Sequence, residues 1–227
     1  MTVRNIVEEI QLVFPQAGIT MILKELNEAQ NKFVFESRVL RGSSQLTAIT
    51  STYNYALPSD FYSLLRIDYF DSSRKRLDFV DMIYKVENGY ITFNSRNTTS
   101  FTGFGSTVNN IIIRYVKKPT QITGLTTYSG SPGVETETTL DVPDLFSEGI
   151  QAKVFERLYT LFPVPIATQN GVTQGINMQA VSHFNKVYRE NVIQAKKYIN
   201  SYDSSGFNMP HIEDATQIAE TTAKSSV

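Results

Sequence analysis

The sequence predicts an α+β protein in which helices near both ends of the chain flank a central antiparallel β-region. Apolar residues recur at helical spacing in residues 3–14 and 20–34, and again after residue 141. Between residues 46 and 116, β-branched and aromatic residues alternate with polar ones, which is typical of strands. Asn88-Gly89 separates two of these segments, and it predicts a hairpin turn because both residues accept positive φ.

Composition limits the chemistry that the chain supports. Its 227 residues are 41% hydrophobic, enough to bury a substantial core, so the sequence is not that of a disordered chain. It has no Cys, which excludes disulfides, thiolate metal sites and a Cys nucleophile, and only two His, His183 and His211. The net charge of −1 is unsuited to tight, charge-driven binding of nucleic acid.

Residues 1–42 are predicted to form two helices joined by a short loop. The first helix is interrupted by Arg4, Glu8 and Glu9, so it is amphipathic and does not resemble a signal peptide. Pro15 ends it, because proline removes a helix hydrogen bond. No segment approaches the roughly 20 apolar residues of a membrane span, and we expect no membrane partner.

Residues 43–119 are predicted to form one antiparallel sheet of about five or six strands. The segments with strand patterns are 46–50, 53–57, 65–70, 76–80, 83–86, 90–93 and 111–116. Tyr53, Tyr55, Tyr69 and Tyr115 lie at alternating positions, so we expect them in the core of this sheet.

Two long connections, 98–110 and 120–139, are rich in Ser, Thr and Gly. Loops of more than about 12 residues are usually functional or disordered. These two therefore either make polar contacts with a neighbouring subunit or are solvated loops. Their candidate contact residues are Phe101, Phe104 and Tyr128.

Residues 140–202 are predicted to form two further helices, separated by a polar loop that ends near Gly175. The third helix begins after residue 141, and the fourth is the longest element of the chain. Because short connections favour antiparallel neighbours, we expect Leu158 and Phe162 to pack against Phe184 and Tyr188.

Residues 203–227 carry four carboxylates against Lys224 and few large apolar side chains. Such a segment cannot build a core of its own. We expect a docking arm that a partner orders, and the alternative is a flexible tail without a partner. The candidate contact residues of the arm are Phe207, Met209, Pro210 and Ile212.

No catalytic constellation is recognisable in the sequence. The glycine clusters at 103–106 and 130–133 lack the Gly-Lys-Ser/Thr of a phosphate loop and are interpreted as turns. A carboxylate pair formed by folding, such as Asp60 with Asp68, stays open, although solvation at the surface is the favoured interpretation. We therefore expect no catalytic residue, no cofactor and no metal.

The order of the elements is more informative than any single motif. A Tyr-Ala-Leu-Pro-Ser-Asp-Phe segment at 55–61 introduces the β-region, Ile-Arg-Tyr-Val-Lys-Lys-Pro at 113–119 closes it, and Leu-Asp-Val-Pro-Asp at 140–144 opens the next helix. Together with the Asn-Gly hairpin and the long final helix, this series resembles the head-to-tail adaptor proteins of short-tailed bacteriophages. The resemblance covers residues 1–202.

The resemblance implies a structural protein with a four-helix bundle, a β-sheet inserted between the second and third helices, and an extended C-terminal arm. It divides the chain into an adaptor domain, 1–202, and a docking tail, 203–227. It also implies a homo-oligomeric ring, commonly of twelve copies, below the portal and around the DNA exit channel.

The partners implied are the portal, the next tail or neck protein, and double-stranded DNA in transient, non-specific passage. The implied location is the neck or tail of the virion, after assembly in the host cytoplasm, and a crAss-like phage of gut bacteria is the suggested source.

Two other classes of function are open at this point. An enzyme would need a pocket of perturbed titratable groups. An aromatic-rich binding module of a phage tail, in contact with a receptor or carbohydrate, would use some of the 14 Phe and 12 Tyr on its surface. Exposed strand tyrosines would favour the binding module, and buried ones the adaptor.

Overall fold

The structure is a computed structural model that describes residues 1–47, 49, 52, 54–70, 76–77, 84–93, 111–129, 134–168 and 171–204. These residues form two compact units. The helical unit contains the described parts of 1–40 and 119–204, and the β-unit contains those of 41–118. The α+β class is confirmed, with four α-helices and only antiparallel strand pairs among the described residues.

The helical unit is built from elements at both ends of the chain. Its helices are α1 (Val3–Val13), α2 (Ile19–Ser37), α3 (Ser147–Leu161) and α4 (Met178–Ser204). The side chain of Thr2 caps α1 by accepting a hydrogen bond from the Asn5 N–H. Among the described residues, no helix is long and apolar enough to cross a membrane.

Helix α3 packs against α4 and α2, and α2 also packs against α4 and α1. The backbone of Gly149 in α3 lies against Asn191 of α4, where an added Cβ would be 2.5 Å from the Asn191 Cβ. Glycine is therefore required for the close approach of these two helices.

The predicted aromatic contacts of α3 and α4 are partly corrected. Phe184 does lie against α3, but it stacks on Phe155 and Tyr159, at centroid distances of 5.0 and 5.7 Å. Phe162 instead contacts Phe14. The apolar stripes predicted which faces of α3 and α4 meet, but they did not predict which aromatic side chains are in contact.

The β-unit contains two sheets and not the single sheet predicted. One sheet has four strands in the order β1-β7-β3-β4, and its strands are β1 (Arg41–Leu46), β3 (Phe61–Phe70), β4 (Arg76–Leu77) and β7 (Ile111–Lys117). The other has three strands in the order β2-β6-β5, and its strands are β2 (Asn54–Ala56), β5 (Tyr84–Glu87) and β6 (Tyr90–Phe93). Period-two patterning predicts the faces of strands, but it does not predict their partners, so it could not divide the sheet.

The Asn-Gly turn between β5 and β6 is confirmed. Asn88 and Gly89 have φ values of 51° and 78°, as a tight hairpin of this kind requires. The first strand is shifted from the prediction, because β1 begins at Arg41, soon after α2, and not at residue 46. The loop 98–110 lies outside the described residues.

Two segments predicted as loops contain hairpins. Strands β8 (Thr126–Ser129) and β9 (Val134–Glu137) pair within the 120–139 segment. Strands β10 (Val164–Thr168) and β11 (Gly171–Gly175) pair between α3 and α4. Both were missed because their Thr, Ser, Gln and Gly content is also typical of loops.

Candidate partner-contact hairpin

Of the seven predicted contact residues, the structure describes only the backbone of Tyr128, which lies in β8. The other six, in 98–110 and in the C-terminal arm, lie outside the described residues. The β8–β9 hairpin is therefore the described part of the predicted contact surface.

The base of the hairpin is fixed to the start of α1. The Val3 N–H donates to the Thr138 carbonyl at 2.8 Å, and the Thr138 N–H donates to the Leu125 carbonyl at 2.9 Å. Arg4 and Glu137 form an ion pair at 3.2 Å. These contacts hold the ends of a two-stranded ribbon, which would be marginal on its own in water.

Helix α2 fixes the chain on either side of the same hairpin. The Asn27 side chain donates to the Ile122 carbonyl and accepts from the Ile122 N–H, both at 2.8 Å. Gln30 is 1% exposed, donates to the Thr120 carbonyl at 3.4 Å and accepts from the Asp141 N–H at 3.2 Å. These anchors were not predicted from the sequence. The signal that could have predicted them is the presence of two amide side chains, Asn27 and Gln30, near the apolar side of α2.

The described side chains of the hairpin are polar and mostly exposed. Glu135, Thr136 and Glu137 are exposed in β9, and the hydroxyls of Thr127 and Thr136 lie 3.0 Å apart across the strands. Edge strands carry backbone N–H and C=O groups that another chain can pair with. The arrangement suits hydrogen bonding to a protein partner.

Three strand tyrosines of the β-unit belong to its core, whereas Tyr62, Tyr84 and Tyr90 are exposed. Tyr55, Tyr69 and Tyr115 are 8%, 5% and 4% exposed, and they pack with Ile91 and Phe93 among others. Burial raises the pKa of Tyr69 well above its usual range, with a smaller effect from Tyr84. Tyr53 lies outside the described residues. Of the four tyrosines that were expected in the core, the three described ones are buried, and this favours the adaptor over the aromatic binding module.

Asp60 and Asp68 have separate partners and do not form a carboxylate pair. Asp60 accepts a hydrogen bond from the Tyr115 hydroxyl at 2.9 Å and lies 3.8 Å from the Lys117 ammonium group. Asp68 accepts from Arg114 at 2.8 Å and lies 2.9 Å from the Arg66 Nε.

The expectation that Asp68 is solvated at the surface is wrong, because its side chain is only 2% exposed. Burial acts to raise the pKa of this carboxyl, but the Arg114 hydrogen bond and the charge and hydrogen bond of Arg66 outweigh burial and lower it. Asp68 is therefore ionised at neutral pH and joins β3 to β7.

Buried polar groups also connect the helices. The Tyr188 hydroxyl donates to Glu36 at 2.9 Å, and burial, followed by this bond, raises the pKa of Tyr188 strongly. Glu25 lies 3.7 Å from Arg157, and burial, with Glu28, raises the pKa of Glu25 above its ordinary value. Both contacts lie between helices, as expected of groups that stabilise packing.

The described residues contain no group of three or more His, Asp or Glu side chains that could hold a metal ion. His183 is exposed and contacts the neighbouring Phe184 ring. His211 lies outside the described residues.

Comparison with known proteins identifies the family. No curated protein sequence matches the chain. A family model described as SU10 adaptor protein matches residues 1–191, most of the chain. The match confirms the predicted resemblance, and the chain belongs to the SU10 adaptor protein family of phage head-to-tail adaptors.

Proposed function

We propose that this adaptor forms a closed ring of twelve copies below the portal, where it joins the phage head to the tail and lines the DNA exit channel. The observation that carries the proposal is the family match over residues 1–191. We also propose that the protein is assembled in the host cytoplasm and lies in the neck of the virion, and that its source is a crAss-like phage.

The charge of the chain supports a role at the channel. A net charge of −1, from 21 basic and 22 acidic residues, gives no overall attraction to phosphate. DNA that must leave the head during ejection would pass such a ring without strong retention. The ring has no catalytic task in this proposal.

The helical unit would supply the body of each ring subunit as one four-helix bundle. Contacts of α2 with α1, α3 and α4, and of α3 with α4, support that arrangement. The β-unit is inserted between α2 and α3 in sequence. Residues 1–202 would then form the adaptor domain.

Residues 203–227 would act as a docking arm on a neighbouring subunit or on the portal. The candidate contacts in the arm and loops are Phe207, Met209, Pro210, Ile212, Phe101, Phe104 and Tyr128. Weak contacts of this kind become effective when every subunit of a ring repeats them.

Co-purification with the portal protein of the same phage tests the ring. Sedimentation of the mixture should give one large species containing both proteins in fixed proportion. The proposal fails if the adaptor sediments as a monomer beside an unchanged portal at micromolar concentrations of both.

Deletion of all residues after Tyr202 tests the arm. The melting temperature of the monomer should hardly change, while association with the ring or portal weakens. The matched control is a full-length variant in which Ser replaces Phe207, Met209 and Ile212. It keeps the length of the chain and removes only the candidate apolar contacts. A large loss of melting temperature on deletion would instead assign the arm to the core of its own subunit.

A further inference from the structure

The solvent-facing side of α4 is basic around an apolar centre. Five exposed residues of this helix each lie three or four positions from another of the set, the spacing of one helix face: Lys186, Arg189, Ile193, Lys196 and Lys197. Ile193 is 52% exposed at the middle of this row. Glu190, which lies 3.9 Å from Lys186, is the one carboxylate on the same stretch. We call this surface the basic α4 face.

The solvent-facing side of α1 has the opposite character. Leu12 is 85% exposed, the largest exposed fraction among the large hydrophobic residues described. Glu8 and Glu9 lie four and three residues before it and are exposed on the same side of the helix. The opposite side of α1 is buried, with Val3, Ile6, Val7 and Ile10 in the core.

The β8–β9 hairpin extends this acidic surface. Glu135 and Glu137 are exposed in β9, and the hairpin is fixed to α1 by the backbone bonds of Thr138 and by the Arg4–Glu137 pair. Together, α1 and β9 present four carboxylates against Arg4. We call this surface the acidic α1 face.

The two faces are complementary in charge and in the arrangement of their side chains. Each has an exposed aliphatic side chain, Ile193 or Leu12. Basic groups outnumber Glu190 on the α4 face, and acidic groups outnumber Arg4 on the α1 face, so the net charges are opposite. Among the described residues, no ion pair involves Glu8, Glu135, Arg189 or Lys197, so these charges are available for a partner. Opposite charges around an apolar centre are typical of a specific interface.

We propose that copies of this chain associate head to tail, with the basic α4 face of one copy on the acidic α1 face of the next. The partner is a second copy because a single chain carries both halves of the match. A contact between two different faces of identical subunits is heterologous, and it closes into a ring when the rotation between copies allows. The inference rests on the proposed ring and specifies the surfaces that form it.

Cysteine pairing tests the contact directly, because the natural chain has no Cys. A mixture of Leu12→Cys protein with Ile193→Cys protein, assembled with the portal and oxidised, should give a covalent dimer and nothing larger. The double variant should give a ladder of dimers, trimers and longer products. Leu145→Cys, at a residue 67% exposed outside both faces, is the matched control and should not pair with either variant.

A charge-swap experiment excludes simple misfolding. Glu8→Lys/Glu135→Lys protein and Arg189→Glu/Lys197→Glu protein should each lose assembly by at least tenfold in apparent affinity. In an equimolar mixture, every contact would again join opposite charges in an alternating ring, so assembly should recover. Misfolded variants would not rescue one another.

The outcomes separate this inference from the proposed function. If an assembly forms with the portal but the Leu12→Cys and Ile193→Cys proteins do not cross-link, or if Leu12→Cys pairs with itself, the head-to-tail contact is wrong and the ring stands. Failure of the charge-swapped mixture to recover, with both variants folded by circular dichroism, also overturns the contact. A natural chain that stays monomeric with the portal overturns the ring and this inference together.

Discussion

Asp68 illustrates how a single side chain joins strands in the β-unit. Its carboxylate is buried, while Arg66 and Arg114 are 49% and 32% exposed at the side chain. Removal of the negative charge would therefore leave two arginines that water can still reach. We expect Asp68→Asn to lower the free energy of unfolding by about 2 kcal/mol at neutral pH.

The effect of Asp68→Asn should depend on pH. Because folding lowers the pKa of Asp68, ionisation of this group stabilises the fold above its unfolded pKa of about 4. That contribution is lost as the pH falls from about 4 through the lower pKa of the folded state. Denaturant unfolding of both proteins at neutral pH and at a pH below the unfolded pKa should show the difference shrinking, and an equal difference at both values would contradict this role.

The Tyr188 hydroxyl gives a second prediction in the helical unit. Tyr188→Phe removes the bond to Glu36 but keeps the ring against Phe33, so unfolding should become easier by about 1 kcal/mol. Tyr159→Phe is the matched control, with an expected change within about 0.5 kcal/mol. Equal effects of the two substitutions in chemical denaturation would show that the Glu36 bond contributes nothing.

Helices α3 and α4 depend on a close approach that only glycine permits. In an isolated helix, Ala would be favoured over Gly by about 1 kcal/mol. At Gly149 the new methyl group would overlap the Asn191 Cβ and lie 3.2 Å from the Phe33 ring, and overpacking of this kind costs about 1–3 kcal/mol.

We therefore expect Gly149→Ala to lower the melting temperature by several degrees, a net loss of about 1 kcal/mol. Gly124→Ala is the control, since its Cβ would meet only ordinary contacts at 3.5 Å and beyond. If Gly149→Ala melts at or above the natural protein, α3 and α4 do not pack as closely as described.

Elements with strong periodicity were predictable from the sequence. Apolar positions at helical spacing predicted α1 and α2, and Asn88-Gly89 predicted the β5–β6 hairpin, because local stereochemistry specifies both. The β8–β9 hairpin was missed because its polar content is also typical of loops, and because the side chains that hold the chain on either side of it, Asn27 and Gln30, are distant in sequence. The burial of Asp68 was missed for the same reason, because Arg114 lies 46 positions away along the chain.

At the scale of the whole molecule, the sequence predicted a family more securely than a site. The order of helices, strands and loops identified an adaptor, and the family match over residues 1–191 confirms it. The predicted contact residues could not be identified in the same way, because a surface that binds a partner has no periodic signature within one chain.

The central claim is that this adaptor is one subunit of a ring below the portal. Electron microscopy of the adaptor assembled with its portal measures this directly. End-on class averages should show a closed ring with twelve equivalent subunits around an open channel. Averages that show portal particles alone, with the adaptor monomeric in the background, would contradict the claim.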